Sequence, residues 1–274
     1  MTHPADWRGV AEVLGGVGGL GSDGLVYRVE FPRSDVNLTS YGVSGLMEAS
    51  YAAFARYPDG RTMLMGDLVV TEAELQRVTD AVQTHGLQQS AIHKHLPAHR
   101  PTLWWTHVTG MSTNPVALAR AMRTGLDATA TPEPLAPDTT PPAGLDTAAL
   151  DAALKAKGRS ANGYRFTFAR RETISDDGRV VPPAMGVTTA FAFHPVGDGQ
   201  AAVTGDFVMT ADEVQPVIKT LRNGGIDVVE LHNHSLTDQP RLFYLHIWAV
   251  AEAVSLARTL HTAASATNLA ATGA

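Results

Sequence analysis

The chain has 274 residues, no cysteine, 44% apolar and 18% charged residues, and a formal net charge of −6. That is an ordinary globular composition with enough apolar material for a core. It excludes disulfides, thiolate metal sites and thiol nucleophiles, and with no basic patch among its scattered arginines it argues against nucleic acid as a partner.

In chain order, the opening Met1-Thr-His-Pro-Ala-Asp-Trp7 has no basic stretch followed by an apolar run. No segment reaches the roughly 18 apolar residues of a membrane span. The expectation is a cytoplasmic protein with no membrane partner. The run from Gly15 to Gly21 follows no strand and reads as a flexible loop. Strands are predicted over 26–31, 50–56 and 62–70, with a turn at Pro58-Asp-Gly60. Thr71 and Glu74 have capping-box spacing, in which the hydroxyl takes an orphan backbone N–H and the glutamate reaches back, so a helix is predicted from Thr71 to about Gly86. A hairpin (90–95 with 102–108) and an amphipathic helix (116–126) follow. Residues 129–144 are proline-rich, which forbids a helix and predicts a linker. The same order then returns: strands over 164–168, 188–193 and 201–209, a helix from Thr210 to about Gly225, a hairpin (227–234 with 241–248) and a helix over 252–260.

The recurrence is a duplication. Residues 46–107 align on 185–246 at one offset, 139, without a gap. Phe54 falls on Phe193, Gly66-Asp67 on Gly205-Asp206, and His93, His95 and His107 on His232, His234 and His246. The predicted fold is α+β: a tandem duplication of a β-β-β-α-β-β-α unit, with mainly antiparallel sheets and helices packed on one face. The expected domains are 1–128, a linker over 129–147, and 148–274.

Alternate strand residues share a face, so His93 projects with His95, and His232 with His234. The third histidine of each trio lies on the returning strand, within reach of the pair. Three imidazoles so placed are a facial nitrogen set that leaves positions open for water or substrate. The expected cofactor is a divalent transition metal, zinc first. The other reading is hydrogen-bonded histidines packing the interface between copies. Glu230 shares the histidine face of copy two, where copy one has Ala91, and is the candidate acid/base. Asp67 and Asp206 sit in strands, where aspartate is poor. They are expected to bond backbone at a bulge, or else to orient a histidine. Trp105 and Tyr244 share the third histidine's face and could wall a pocket. His99, in a turn, is expected to be exposed. Arg28, Arg33, Arg165 and Arg170 recur in the first strands; a solvated edge is expected, an anion site being the alternative. Phosphate-cradling, dinucleotide-binding and serine-elbow motifs are absent.

The segments Gly205-Asp-Phe-Val-Met-Thr-Ala-Asp-Glu-Val, Leu231-His-Asn-His-Ser-Leu and Pro240-Arg-Leu-Phe-Tyr-Leu-His-Ile-Trp resemble the LppY/LpqO family of bacterial proteins. So do Met65-Gly-Asp-Leu-Val-Val-Thr-Glu-Ala-Glu and His93-Lys-His in the first copy. The resemblance implies a duplicated domain and no activity; Lys94 and Glu230 depart from it. The residues themselves point to a small-molecule substrate and a metal-dependent enzyme, hydrolase or lyase/isomerase, centred on His232, His234 and His246. A non-catalytic metal- or ligand-binding protein is the alternative, and a homo-oligomer stays open. A cupin-type oxygenase fits poorly: it wants a glutamate soon after the histidine pair and an all-β barrel.

Overall fold

The strand at Thr62–Thr71 is buried at every position but its last, which requires cover on both faces of its sheet. The computed structural model describes residues 1–21, 23–134 and 139–270 and shows that cover. The main strands of the first repeat are β1 (Val26–Pro32), β2 (Ala49–Arg56), β3 (Thr62–Thr71), β4 (Gln88–His93) and β5 (Leu103–Ser112). With the short strand Gly19–Leu20 they form an antiparallel sheet in the order Gly19–Leu20, β1, β2, β3, β5, β4. The second repeat copies it with β6 (Tyr164–Ala169), β7 (Thr188–Gly197), β8 (Gln200–Met209), β9 (Asp227–His232) and β10 (Phe243–Glu252). The strand Arg159–Ser160 takes the place of Gly19–Leu20.

One face of each sheet carries helices, as the duplicated α+β pattern predicts. Helices α1 (Arg8–Val13), α2 (Leu75–Thr84) and α3 (Pro115–Asp127) cover the first; α4 (Thr147–Leu154), α5 (Ala211–Asn223) and α6 (Ala253–Ala264) cover the second. Leu64, Leu68 and Val70 meet Val78, Val82 and Met122 there, and Val203, Phe207 and Met209 meet Val217, Leu221 and Leu260. Each such side chain contributes about 1.5–3 kcal/mol by leaving water.

The opposite faces pack on each other. Met63 and Met65 of β3 join Met185, Val208 and Tyr244 of the second repeat. Val69 and Trp105 join Ala202 and Trp248. The result is four layers, helix–sheet–sheet–helix. A small hairpin follows the first main strand of each repeat (Leu38–Ser40 with Val43–Leu46; Ser175–Asp176 with Arg179–Val180) and packs against the other repeat's sheet.

Several local expectations change. The helix predicted from Thr71, α2, begins at Leu75, and Glu74 reaches back to the Thr71 N–H at 2.8 Å. The glycine run ends in a paired strand instead of staying a loop throughout. Arg33 and Arg170 are buried, not solvated. Arg33 binds Asp35, Glu74 and the Val69 carbonyl; Arg170 binds Glu172, Glu213 and the Val208 carbonyl. Glu74 also accepts from the Ala130 N–H and Glu213 from that of Asn268, so each network ties the chain after its last helix to the sheet. Such buried charges are tolerable only when fully paired. Of the expected linker, 129–134 and 139–144 hold no helix or strand; 135–138 lie outside the described residues. Among the described residues no helix is long and apolar enough to cross a membrane.

Candidate metal centre

Strand register aims the polar residues at the space between the sheets. Asp67, His107 and Ala91 lie side by side across β3, β5 and β4. Asp206, His246 and Glu230 do so across β8, β10 and β9. A glycine precedes each aspartate because the neighbouring strand leaves no room behind it: a Cβ on Gly66 would lie 2.7 Å from the Tyr51 carbonyl oxygen, and one on Gly205 would meet that of Ala190. Bulges follow Gln89 and Val228. They bring His93 opposite Trp105, and His232 opposite Tyr244.

The trios do not form two separate sites. Each ring lies against one from the other repeat: His93 on His232 with centroids 3.9 Å apart, His107 on His234 at 3.7 Å, His95 on His246 at 4.0 Å. The pairing is that of a pseudo-twofold axis through His93 and His232. His95 and His234 lie just past the ends of β4 and β9 rather than within a strand, yet they converge as alternation predicted. The Nε2 atoms of His93 and His95 are 3.1 Å apart, and those of His232 and His234 3.0 Å.

Two sets of ligand atoms each lie within 4.8 Å of one another: His93, His232, His234 and His246, and Asp67, His93 and His107. The first crosses the repeats, and His93 belongs to both. The buried Nδ1 atoms of His93 and His232, the Nε2 atoms of His107 and His246, and Oδ1 of Asp67 have no hydrogen-bond partner. Burial pushes the His232 pKa down to about 3, helped by His107 and His95, and holds His93, His234 and His246 well below the ordinary imidazole value for the same reason. These rings are neutral at neutral pH, the form that ligates metals. Two nitrogens about 2.0–2.1 Å from one tetrahedral zinc would stand about 3.3 Å apart, close to the 3.0 Å between His232 and His234; His95, expected among the ligands, belongs to neither set.

Asp67 does not take a backbone partner at a bulge. Its Oδ2 is 3.3 Å from His107 Nε2 and 3.7 Å from His95 Nε2. Burial raises the pKa of Asp206 to about 6; it belongs to neither ligand set. Glu230 reaches across the interface, its Oε2 accepting from the Lys94 N–H at 2.7 Å. His99 is buried, its Nδ1 2.7 Å from the Leu96 carbonyl and its Nε2 accepting from the Leu103 N–H at 2.8 Å. Its counterpart Asp238 accepts from Leu242 in the same way. That position closes the hairpin and is not part of the site.

The two ends of the centre differ. His95 stacks on Trp105 at 4.3 Å, its side chain is 23% exposed, and its Nδ1 faces Glu48 at 3.5 Å. His234 is buried and stacks on Tyr244 at 3.4 Å, beside a small cavity lined by Met65, Met185 and Val187. Trp105 and Tyr244 each lie flat on one histidine ring of the centre. Glu48 was not legible as a site residue; its only signal is that Val187 replaces it at the offset of 139.

A family model described as Domain of Unknown Function (DUF1259) matches residues 8–128 and 148–266. It agrees with the duplicated domain that the resemblance implied. No curated protein matches the chain. Three solved structures align over much of its length at low identity. A double-ringed trimeric shell protein from the RMM microcompartment shares 14% identity over 74% of this chain and 81% of its own, with a TM-score of 0.22. EtuB from Clostridium kluyveri shares 9% over 79% and 87%, at 0.23. The trimeric bacterial microcompartment shell protein PduB shares 12% over 89% and 88%, at 0.22. Superpositions this poor carry no argument about fold or function.

Proposed function

The chain belongs to the DUF1259 family, and from its own site we propose a metal-dependent enzyme acting on a small molecule through one centre shared by both repeats. The observation that carries this is the convergence of desolvated imidazoles from both sheets on one space, four of them (His93, His107, His232 and His246) with a buried ring nitrogen that has no partner. His93, His232, His234 and His246 would hold a divalent transition metal, zinc first. Such an ion polarises a carbonyl or activates water, which suits a hydrolase or a lyase/isomerase. The exposed edge of His95 supplies a route from solvent. Glu230, in line with His246, is the acid/base of this reading, with one oxygen steadied by the Lys94 N–H. The finer LppY/LpqO placement, resting on the His-Asn-His block, belongs to the same reading.

One observation favours a non-catalytic metal-binding protein instead: four protein nitrogens would close a tetrahedral site. Both readings predict bound zinc after reconstitution in the wild type and in His85→Ala, a change on α2's exposed end, and its loss in His232→Ala. Wild-type protein without zinc ends both. Azide added to the cobalt-loaded protein separates them. A shifted visible spectrum means an open position and supports the enzyme; an unmoved one supports the closed site.

A further inference from the structure

We infer that the centre is dinuclear: a second divalent cation sits at Asp67, His93 and His107, beside the ion held by His93, His232, His234 and His246. This rests on the shared-centre reading above and extends it to a site that reading does not require.

All three side chains are buried, Asp67 at 3% exposure, His93 at 1% and His107 at 4%. Each has a polar atom with no partner: Asp67 Oδ1, His93 Nδ1 and His107 Nε2. A buried carboxylate oxygen or ring nitrogen left without a partner is unfavourable, and a bound cation would satisfy all three. His107 Nε2 stands 3.3 Å from Asp67 Oδ2 without forming a hydrogen bond. Two donors that close, both aimed into one space, are arranged as adjacent ligands of one cation. A carboxylate with imidazoles is a mixed oxygen–nitrogen set suited to zinc, manganese or cobalt.

His93 is common to both ligand sets and at the centre of the stack, 3.9 Å from His232 and between 5.1 and 5.6 Å from the other four rings. To serve two ions it gives one ring nitrogen to each. Its N–H bond breaks, a nitrogen–metal bond forms, and the proton passes to buffer.

The test is titration of the metal-free full chain with Co(II), read by bound metal per chain and by electron paramagnetic resonance. The wild type should bind two ions whose signals are coupled through His93. Asp67→Asn and His107→Gln should each bind one ion with an uncoupled signal. Wild-type saturation at one ion, lost in His232→Ala, would refute the second site and leave the shared centre standing. No bound ion at all would remove both. Should either variant misfold, the wild-type stoichiometry and coupling still decide.

Discussion

The two repeats have kept one scaffold and let their share of the centre diverge. The buried Arg33–Glu74 and Arg170–Glu213 pairs match contact for contact, down to the carbonyls at Val69 and Val208. Around the histidines the matches fail: Glu48 against Val187, Ala91 against Glu230, Tyr51 against Ala190. A pseudo-twofold fold thus yields a centre with one end half-exposed beside Glu48 and the other buried against Tyr244. Duplication supplied symmetrical framing, and single substitutions gave the ends separate properties.

The largest effect should come from the shared framing. Arg33→Ala and Arg170→Ala each strand a buried glutamate and should each cost about 3–5 kcal/mol, measured by urea unfolding. A marked inequality between them would break the claim that the scaffolds are equivalent.

Next in size is the acid response of the metal-free protein. His93, His232, His234 and His246 have folded pKa values below 6.5, that of His232 down to about 3. The unfolded chain therefore takes up protons the folded chain refuses. Stability is complete above about pH 6.5 and falls on acidification, by up to about 1.4 kcal/mol per pH unit for each histidine. Asp206, raised to about 6, and Asp238, raised by burial, act oppositely: their contribution is present at low pH and lost as pH rises. Four groups outweigh two, so unfolding midpoints should drop between pH 6.5 and 4. Flat midpoints would mean the rings are not desolvated.

Two smaller effects probe the asymmetry. Glu230→Ala removes the acceptor for the Lys94 N–H and should cost about 1–2 kcal/mol, while Ala91→Ser should be near neutral. Glu48→Gln, at the half-open end, should move stability by no more than about 0.5 kcal/mol and leave metal content unchanged. Metal loss in Glu48→Gln would mean the open end is part of the ligand set.

Much of this was legible in residue order. The ungapped offset of 139 gave the duplication, and the strand–helix order gave the α+β unit. Alternation predicted that His93 and His95 would meet, and they do, although His95 lies beyond the strand. What residue order could not supply was the packing of one sheet on the other. Each trio read alone looks like a complete site, and only the inter-sheet contact sets His93 against His232 and carries Glu230 to Lys94. His99 misled because a turn position suggested exposure, whereas it is buried as a hydrogen-bond acceptor for the hairpin, the part its counterpart Asp238 also plays. Arg33 and Arg170 misled because their glutamate partners lie about forty residues away.

The central claim is that both repeats build one centre, and zinc binding by His93→Ala tests it most directly, since that change touches only the first repeat. The account predicts at least a tenfold loss of affinity for the ion that His232, His234 and His246 also hold. Wild-type affinity and stoichiometry in a folded His93→Ala protein would contradict it and return the chain to two independent trios.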